Sequence, residues 1–381
     1  MGPPVLLVAT AIKWHGVARM PRDLVNAGWS VSLLAPKGSL AEHSRYVERI
    51  GHLPDNATPL QWVHAFAAMA KATAARMVLP CDDTAFRLMQ QLVVAPPNNM
   101  QPVLQLQLAS LITESLGDSA HYRSSVDKTL ICPAAEAAGA RVPPYRVISD
   151  WAEAKSFAAT HGWPVVLKRS HSSAGDGVAI CADQDALIRQ FARLVNSNTL
   201  NLNDADANRL LVQAYIPGRA QYFAGTAWRG SLLCGYAVDR LAGEPQGPAS
   251  VVRYFHSAEL LGSATKLAAG FGATGIFAPE YIIHERTGEP YLIEINRRIT
   301  PGTHRGEFIN VSTGCALFAA MKGGPLNTRT RLDDGEEHVF VSFPHEWLRD
   351  PESRYLRDYP VDVPWDEPGL IEAMLAMRHE R

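Results

Sequence analysis

The sequence predicts a multidomain protein with an α/β domain first and α+β domains after it. Three observations lead to this prediction: the length of 381 residues, apolar runs that alternate with helical stretches in the first third, and hairpin-like strands after residue 213. A single hydrophobic core rarely serves more than about 300 residues, so two or three domains are expected. The hydrophobic fraction of 47% and the charged fraction of 19% are typical of a globular chain rather than a disordered, collagen-like or coiled-coil one.

Charge and cysteine content exclude several classes of protein. Lys plus Arg number 36 and Asp plus Glu 38, so the net charge is −2, and no basic block indicates nucleic acid or an anionic membrane as a partner. The five cysteines are widely spaced and form no C-x-x-C pair, which disfavours a zinc site or a disulfide framework. No signal peptide and no apolar run of membrane-spanning length is recognised, so a cytoplasmic protein is expected.

Residues 1–120 are predicted to form a doubly wound α/β domain. Short apolar runs at residues 5–9, 30–34 and 77–80 are typical of strands buried on both faces of a parallel sheet. No G-x-G-x-x-G motif follows the first run, which disfavours a nicotinamide cofactor. Ligands of such sheets bind at the carboxyl ends of the strands, where Asp82 follows the third run.

Residues 121–213 are predicted to form a small α+β domain with a connecting helix over 125–138. Its strand at residues 165–168 ends in Lys168 and precedes the loop SHSSAGDG at 170–177. A loop of small residues lets backbone N–H groups approach a polyphosphate, and the lysine adds a positive charge. Such a loop is common after a strand, so this feature alone does not define a site.

Residues 214–381 are predicted to form the C-terminal domain, built on antiparallel hairpins. Arg229-Gly230 is typical of a turn between two strands. Residues 239–256 are interpreted as a Gly/Pro-rich loop, long enough to act as a flap over a site. The proline-rich C-terminal tail is expected to be irregular apart from one terminal helix.

The most informative stretch is a predicted hairpin with the three-residue loop Arg286-Thr287-Gly288. A loop of this length that ends in glycine is typical of a type I turn followed by a left-handed residue. If Glu285 pairs with Glu289, then Glu280 lies opposite Glu294, with Cβ atoms roughly 5 Å apart. Two directly opposed carboxylates repel each other, so this register requires a positive charge nearby.

Alternation along the second strand of this hairpin places further polar residues beside Glu294. Asn296 and Arg298 share the face of Glu294, whereas the opposite face carries an apolar stripe suited to the core. Two carboxylates and a carboxamide oxygen on one face suit hard, oxygen-seeking Mg²⁺. The alternative is a solvated face whose charges point at water.

Five motifs in a fixed order resemble the ATP-grasp superfamily, and within it the carboxylate–amine ligases and carbamoyl-phosphate-synthase-like proteins. The resemblance covers about residues 125–300, and the preceding domain resembles the pre-ATP-grasp domain of that family. It implies a three-domain architecture with an N-terminal doubly wound α/β domain, a small α+β lid and a C-terminal antiparallel-sheet α+β domain. The motifs are Asp127-Lys128, PVVLKRSHSSAGDGV (164–178), LLVQAYIPG (210–218), APEYI (278–282) and LIEINRR (292–298).

The resemblance implies ATP and two Mg²⁺ ions, or Mn²⁺ in their place, as cofactors. Glu280, Glu294 and Asn296 would hold the metal ions. Arg298 would stabilise the substrate carboxylate or the transferred phosphoryl group, and with Lys168 it would be catalytic. The loop would close over the phosphates, the hinge would grip adenine, and Leu292, expected on the face of Glu294, would pack beneath the ring. The implied ATP-binding residues are Lys128, Lys168, Ser172, Gly175, Gly177, Gln213, Ala214, Tyr215, Ile216 and Leu292.

Three features depart from the family pattern. The hinge usually carries a glutamate where Gln213 stands, which bears on adenine affinity. A second acidic residue, generally a ribose contact in the family, has only Ala220 or Gln221 nearby. The residue between the asparagine and the arginine is usually proline but is Arg297 here. Either this arginine faces an anionic acceptor, or it points to the opposite face and pairs with a surface acid.

The activity that the resemblance implies is ATP-dependent ligation. A carboxylate would be activated as an acyl phosphate with release of ADP and then coupled to an amine, forming an amide or peptide-like bond. A kinase-like phosphotransferase and a non-catalytic ATP-binding regulatory protein are the alternatives. The expected partners are small-molecule carboxylates and amines, with no nucleic acid and no membrane, and a homodimer is left open. Candidate substrate contacts are Lys13, Trp14, His15, Asp82, Asp83, Arg253, His304 and Arg305.

Overall fold

A computed structural model shows three β-sheets with helices packed against them. No helix within the described ranges is long and apolar enough to cross a membrane. The structure describes residues 2–13, 15–98, 100–170, 177–196, 209–244 and 247–376.

The first sheet is parallel, and helices cover both of its faces. One core cluster joins Val5 and Leu7 to the first helix, and a second joins Leu6 and Val8 to the next three helices, as expected when both faces of a strand are buried. The spatial order of the strands is third, second, first, fourth. The elements are β1 (Pro4–Val8), α1 (His15–Asn26), β2 (Ser30–Pro36), β3 (Arg49–Leu53), α2 (Pro59–Thr73), β4 (Met77–Pro80), α3 (Asp83–Val94) and α4 (Pro102–Leu116).

The second sheet is antiparallel and four-stranded. The single helix predicted over 125–138 is two helices, because Asp127 ends the first and caps the second by accepting a hydrogen bond from the backbone N–H of Thr129 at 2.9 Å. The elements are α5 (Tyr122–Val126), α6 (Lys128–Ala137), β5 (Tyr145–Ile148), α7 (Trp151–His161), β6 (Val165–Arg169), β7 (Val178–Cys181), α8 (Gln184–Asn196) and β8 (Leu210–Ala214), with strand order β5-β8-β6-β7.

The third sheet has six antiparallel strands. The flap predicted at 239–256 is wrong: most of that segment forms two paired strands, because its alternating apolar run ASVVRYF favours a strand more than its glycines and prolines favour a loop. The elements are β9 (Gly218–Trp228), β10 (Ser231–Gly243), β11 (Ala249–Phe255), α9 (Ala258–Gly270), β12 (Gly275–His284), β13 (Pro290–Asn296), α10 (Thr313–Lys322) and β14 (Glu337–Val341), with strand order β13-β12-β9-β10-β11-β14.

The C-terminal tail is more regular than the sequence predicts, and it returns to the first sheet. Leu370 and Met374 pack in the same core cluster as Val5 and Leu7 of β1. The last helix therefore completes the core of the first sheet rather than that of the third. The tail contains α11 (His345–Arg349), α12 (Arg354–Asp358) and α13 (Pro368–Ala376).

Asp362 fixes this tail in a buried polar network. Its carboxylate accepts hydrogen bonds from Arg305 Nε at 2.6 Å and from the backbone N–H of Phe343 at 2.6 Å, and it lies 3.1 Å from His304 Nε2. Its backbone carbonyl accepts from Arg19. Burial opposes ionisation of this carboxyl, but Arg305 and His304 hold its pKa well below its usual range.

His304 and Arg305, expected as substrate contacts, belong to this network instead. Each is only 4% exposed. Burial, reinforced by the charge of Arg19, lowers the pKa of His304 to about 3, so the imidazole is neutral at physiological pH.

We expect Asp362→Asn to lower the free energy of unfolding by about 3–5 kcal/mol, because it leaves the buried Arg305 guanidinium without its counter-charge. Because the pKa of Asp362 is lowered in the folded state, this contribution is present above about pH 4 and is lost as the pH falls further. Urea unfolding between pH 3 and pH 7 measures both effects. The exposed Asp358→Asn in the same tail is the control and should change stability by less than about 0.5 kcal/mol.

Candidate active site

The hairpin formed by β12 and β13 places two carboxylates directly opposite each other. Glu280 pairs with Glu294 across the ladder, as the sequence predicts. Gly288 has the predicted left-handed backbone, with φ +72°. The predicted register at the turn is wrong by one residue, because the backbone N–H of His284 donates to the carbonyl of Glu289 at 2.9 Å.

A β-bulge reconciles these two observations. Tyr281 pairs with Leu292, whereas the adjacent Glu280 pairs with Glu294, so Ile293 is an extra residue on β13. The bulge shifts the pairing by one residue, so that Glu280 and Glu294 lie opposite each other as predicted. The backbone of the extra residue also contacts a lysine, because the carbonyl of Ile293 accepts a hydrogen bond from Lys168 Nζ at 3.3 Å.

The expectation that Leu292 shares the face of Glu294 is wrong for the same reason. Residues paired across a ladder share a face, so Leu292 lies with Tyr281 on the side opposite the two glutamates. Its side chain is 1% exposed and packs in a core cluster with Tyr281 and Phe271. Leu292 therefore supports the sheet from behind.

The two glutamates and Asn296 form one cluster, here called the acid cluster. Asn296 Nδ2 donates a hydrogen bond to Glu280 Oε1 at 2.7 Å. Burial, and then the charge of Glu294, raise the pKa of Glu280 to about 7, although Arg298, Asn296 and Lys128 act in the opposite direction. Glu280 therefore ionises less readily than an exposed glutamate does.

Two lysines from different elements meet the acid cluster. Lys128 begins α6, and its Nζ lies 3.7 Å from Glu294 Oε1. Lys168 lies on β6 and is 6% exposed. Burial, and then the charge of Lys128, lower the pKa of Lys168 to about 8, whereas the two glutamates act to raise it. The structure therefore brings together both lysines that the sequence singled out and the predicted metal ligands.

Arg298 lies where the third sheet meets the first. Its Nε lies 3.1 Å from Asp83 Oδ1 and its Nη2 lies 3.4 Å from Asp83 Oδ2, which is a bidentate pair. The backbone N–H of Ile299 donates to the carbonyl of Pro80 at 3.1 Å, so the chain leaving β13 is tied to the end of β4.

The predicted hinge connects the second and third sheets. Residues 213–216 run from the end of β8 towards the start of β9. Gln213 is buried and donates its amide N–H to Cys132 Sγ at 3.2 Å. The backbone N–H of Ala214 donates to the carbonyl of Pro144 at 2.9 Å, whereas Tyr215 is exposed and Ile216 is partly buried.

Part of the predicted phosphate loop, with Ser172 and Gly175, lies outside the described residues. The substrate candidate Trp14 lies outside them as well. Gly177 is buried, and its carbonyl accepts a hydrogen bond from the backbone N–H of Arg169 at 2.8 Å, which closes the base of the loop.

The remaining substrate candidates differ in what they contact. Asp82 is a helix cap that accepts hydrogen bonds from the backbone of Ala85 and Thr10. Arg253 pairs with Asp239 and Glu337 on neighbouring strands, so both it and Asp82 have structural partners. Lys13 is exposed, and the rings of His15 and His345 pack edge to face with centroids 4.4 Å apart.

The surroundings of Arg297 differ from those that the sequence predicts. It is 4% exposed and donates hydrogen bonds to Ser125 Oγ at 3.2 Å and to the carbonyls of Leu116 and Thr274. Its guanidinium lies 5.6 Å from the ring centroid of Phe86 and 5.6 Å from that of Phe277. Within the described part of the chain, its hydrogen-bond partners are thus a hydroxyl and two backbone carbonyls rather than a surface acid. Burial lowers its pKa to about 10.

Across the part of the chain that the structure describes, no group of three or more His, Cys, Asp or Glu side chains is placed to hold a metal ion. The acid cluster contains two carboxylates and one carboxamide, which is a different donor set. All three side chains offer the oxygen atoms that Mg²⁺ prefers. The acid cluster is therefore the candidate cation site of this structure.

Comparison with known proteins shows which proteins this chain resembles. Residues 127–219 match the family described as the carbamoyl-phosphate synthase L chain, ATP binding domain. The resemblance to ATP-grasp carboxylate–amine ligases is thereby confirmed.

Individual relatives agree with this class. The N-terminal section of the carbamoyl phosphate synthase large chain from Methanopyrus kandleri is 25% identical over 202 residues, which covers 50% of this chain. The match covers 34% of that protein, so the chain spans about a third of the relative's length.

Solved structures show the same fold over most of the chain. The biotin carboxylase domain of the Hydrogenobacter thermophilus 2-oxoglutarate carboxylase, solved with MgADP, ADP and bicarbonate, is 18% identical with a TM-score of 0.66, and the match covers 89% of this chain and 74% of that one. The N5-carboxyaminoimidazole synthetase of Staphylococcus aureus is 12% identical with a TM-score of 0.63, covering 89% and 82% respectively. At these identities the likeness shows the fold.

We expect Glu280→Gln to raise the thermal unfolding midpoint at pH 8 by about 2 °C or more in the absence of divalent cations. Because the pKa of Glu280 is raised to about 7, its protonated form stabilises the fold below about pH 4.5, and this contribution is lost as the pH rises through 7. A glutamine stays neutral throughout, so the variant should match the wild type at pH 5. Thermal unfolding at both pH values measures the difference.

The exposed Glu285→Gln on the same hairpin is the control and should leave both midpoints unchanged. Equal midpoints for Glu280→Gln and the wild type at pH 8 would show that Glu280 ionises without penalty.

Proposed function

We propose that this chain is an ATP-dependent ligase that activates a carboxylate as an acyl phosphate, releases ADP and couples the acyl group to an amine. One observation supports the proposal above all others: Glu280 and Glu294 face each other across β12 and β13, with Lys128 and Lys168 beside them. Phosphoryl transfer requires positioned cations and metal ligands rather than a nucleophilic side chain, and this cluster supplies both. The ATP-grasp fold of the relatives agrees with this chemistry.

The acid cluster fits Mg²⁺. Burial and the opposed charge of Glu294 raise the pKa of Glu280, so a bound cation would favour the ionised form of this carboxyl. Asn296 uses its amide N–H on Glu280, so its oxygen is the atom that would serve a metal. We propose that Glu280, Glu294 and Asn296 hold two Mg²⁺ ions, or Mn²⁺ in their place, which would neutralise charge on the phosphate oxygens.

The nucleotide would lie between the second and third sheets. Lys128 and Lys168 would contact its phosphates, and the 170–177 loop, with Ser172, Gly175 and Gly177, would cover them. Residues 213–216 join the two sheets, and their backbone groups would bind adenine. The lowered pKa of Lys168, about 8, supports this role, because an anion beside the ammonium group would offset its burial.

The reaction proceeds in two displacements. An oxygen of the substrate carboxylate attacks the γ-phosphorus, the bond to the β–γ bridging oxygen breaks, and ADP leaves. The amine nitrogen then attacks the acyl carbon, inorganic phosphate leaves, and the amine loses a proton. Lys168 and Arg298 would offset the charge that develops on the transferred group.

We propose three domains within this architecture. They are a pre-ATP-grasp-like domain at 1–120, a lid at 121–213 and a C-terminal ATP-grasp domain at 214–381, each built on one of the three sheets. Because α13 packs on the first sheet, the C-terminal domain also contacts the core of the N-terminal domain. A homodimer and a cytoplasmic location stay predictions.

We expect Glu294→Ala to reduce ADP release by about 100-fold or more, because it removes a carboxylate that would hold the Mg²⁺ ions against the phosphates. ADP release from MgATP is measured with a panel of carboxylates crossed with amines. Bicarbonate comes first, because it occupies the biotin carboxylase domain of similar fold. Glu285→Gln is the matched control and should retain full activity. Undiminished turnover by Glu294→Ala would contradict the site.

Hydroxylamine distinguishes a ligase from a kinase that stops at a phosphorylated product. An acyl phosphate acylates hydroxylamine to a hydroxamate, so ADP release with an organic carboxylate should yield one hydroxamate per turnover. ADP formation without hydroxamate would identify a phosphotransferase, and no ADP formation with any carboxylate would indicate a non-catalytic ATP-binding protein.

A further inference from the structure

We propose that Asp83 is a positioning residue that holds the Arg298 guanidinium beside the acid cluster, so that the first sheet takes part in recognising the carboxylate substrate. This inference rests on the proposed function of Arg298. The pair joins residues 215 positions apart in the chain, one at the start of α3 and the other just beyond β13. Asp83 would act through Arg298 rather than by touching the substrate.

The carboxylate of Asp83 is not the cap of its own helix. The neighbouring Asp82 caps α3 by accepting the backbone N–H of Ala85 at 2.8 Å, and it also holds Thr10 and Ala11 after β1. Asp83 is thus one residue inside the helix, and both of its oxygens face Arg298, at 3.1 and 3.4 Å. A side-on pair of this kind fixes the plane of a guanidinium as well as its position.

The backbone near Arg298 is anchored, and its guanidinium contacts both Asp83 and, through Nη1, the carbonyl of Ile299 at 3.4 Å. The hydrogen bond from Ile299 to Pro80 anchors the main chain of the segment after β13 to the end of β4. Four rotatable bonds still separate the Arg298 backbone from its charge, and ordering such a side chain costs conformational entropy. The pair with Asp83 removes this freedom before a substrate arrives.

The positioned charge reaches the proposed reaction centre. Arg298 follows Asn296, the last residue of β13 and a member of the acid cluster, by only two residues. Its side chain is 12% exposed and that of Asp83 is 35% exposed. The pair is therefore partly accessible to an anion from solvent.

A kinetic experiment separates positioning from a general structural role. ADP release is measured for wild type, Asp83→Asn, Asp83→Glu, Arg298→Lys and the double variant Asp83→Asn/Arg298→Lys, with bicarbonate and the other carboxylates of the panel. We expect Asp83→Asn to raise the KM for the carboxylate roughly tenfold while the KM for MgATP changes less than about twofold. Asp83→Glu should recover part of the loss. The double variant should be no worse than Arg298→Lys alone, because both changes remove the same interaction.

Glu337→Gln is the control, since it breaks another arginine–carboxylate pair, with Arg253, at 50% exposure and away from the acid cluster. It should leave both KM values unchanged. The proposal is overturned if Asp83→Asn leaves the carboxylate KM unchanged, or if its effect multiplies with that of Arg298→Lys.

A second measurement tests the Asp83–Arg298 pair without turnover. It remains informative if no carboxylate supports ADP release, a result that would contradict the proposed function but not the pair. Phenylglyoxal modifies accessible guanidinium groups, and peptide mass spectrometry follows its rate at Arg298. Because Asp83→Asn removes the carboxylate that pairs with Arg298, phenylglyoxal should modify Arg298 several-fold faster in this variant than in the wild type. The rate should not change in Glu337→Gln. An unchanged rate at Arg298 would overturn the proposal. Matching thermal unfolding midpoints confirm that each variant is folded.

Discussion

The repulsion between two carboxylates that face each other across one pair of strands governs the organisation of this molecule. Glu280 and Glu294 lie on a sheet whose opposite face is packed core, so neither strand can turn them away without exposing apolar side chains. Positive groups nearby must therefore balance their negative charge. Lys128, Lys168 and Arg298 balance it in part, and each comes from a different part of the chain.

This constraint explains why three sheets are needed to make one site. The third sheet provides the anions, the second sheet and the helix before it provide two lysines, and α3, which packs on the first sheet, provides the carboxylate that pairs with Arg298. Every cation is covered by protein more than an ordinary surface charge would be, which strengthens its interaction with the acids. The overall charge of −2 gives no sign of this concentration of opposed charges.

The sequence predicted those parts of the structure that depend on neighbours along the chain. β1, β2 and β4 were predictable because buried parallel strands are continuous apolar runs, whereas β3, an edge strand with exposed side chains, has no such signature. The opposition of Glu280 and Glu294 was predicted through a turn register that was wrong by one, and the bulge at Ile293 compensated for the error. The Arg298–Asp83 pair and the burial of Arg297 depend on tertiary packing between distant segments, for which local pattern carries no information.

The return of α13 to the first sheet has a consequence for how the chain acquires its structure during synthesis. Leu370 and Met374 pack in the same core as Val5 and Leu7, so that core stays incomplete until α13 has been synthesised. Such long-range closure slows folding, since the intervening chain must be closed into a loop before the contact forms. The strands of the first sheet are therefore translated before the other two sheets, but their core is completed by residues that follow both, and loss of α13 would be felt around β1.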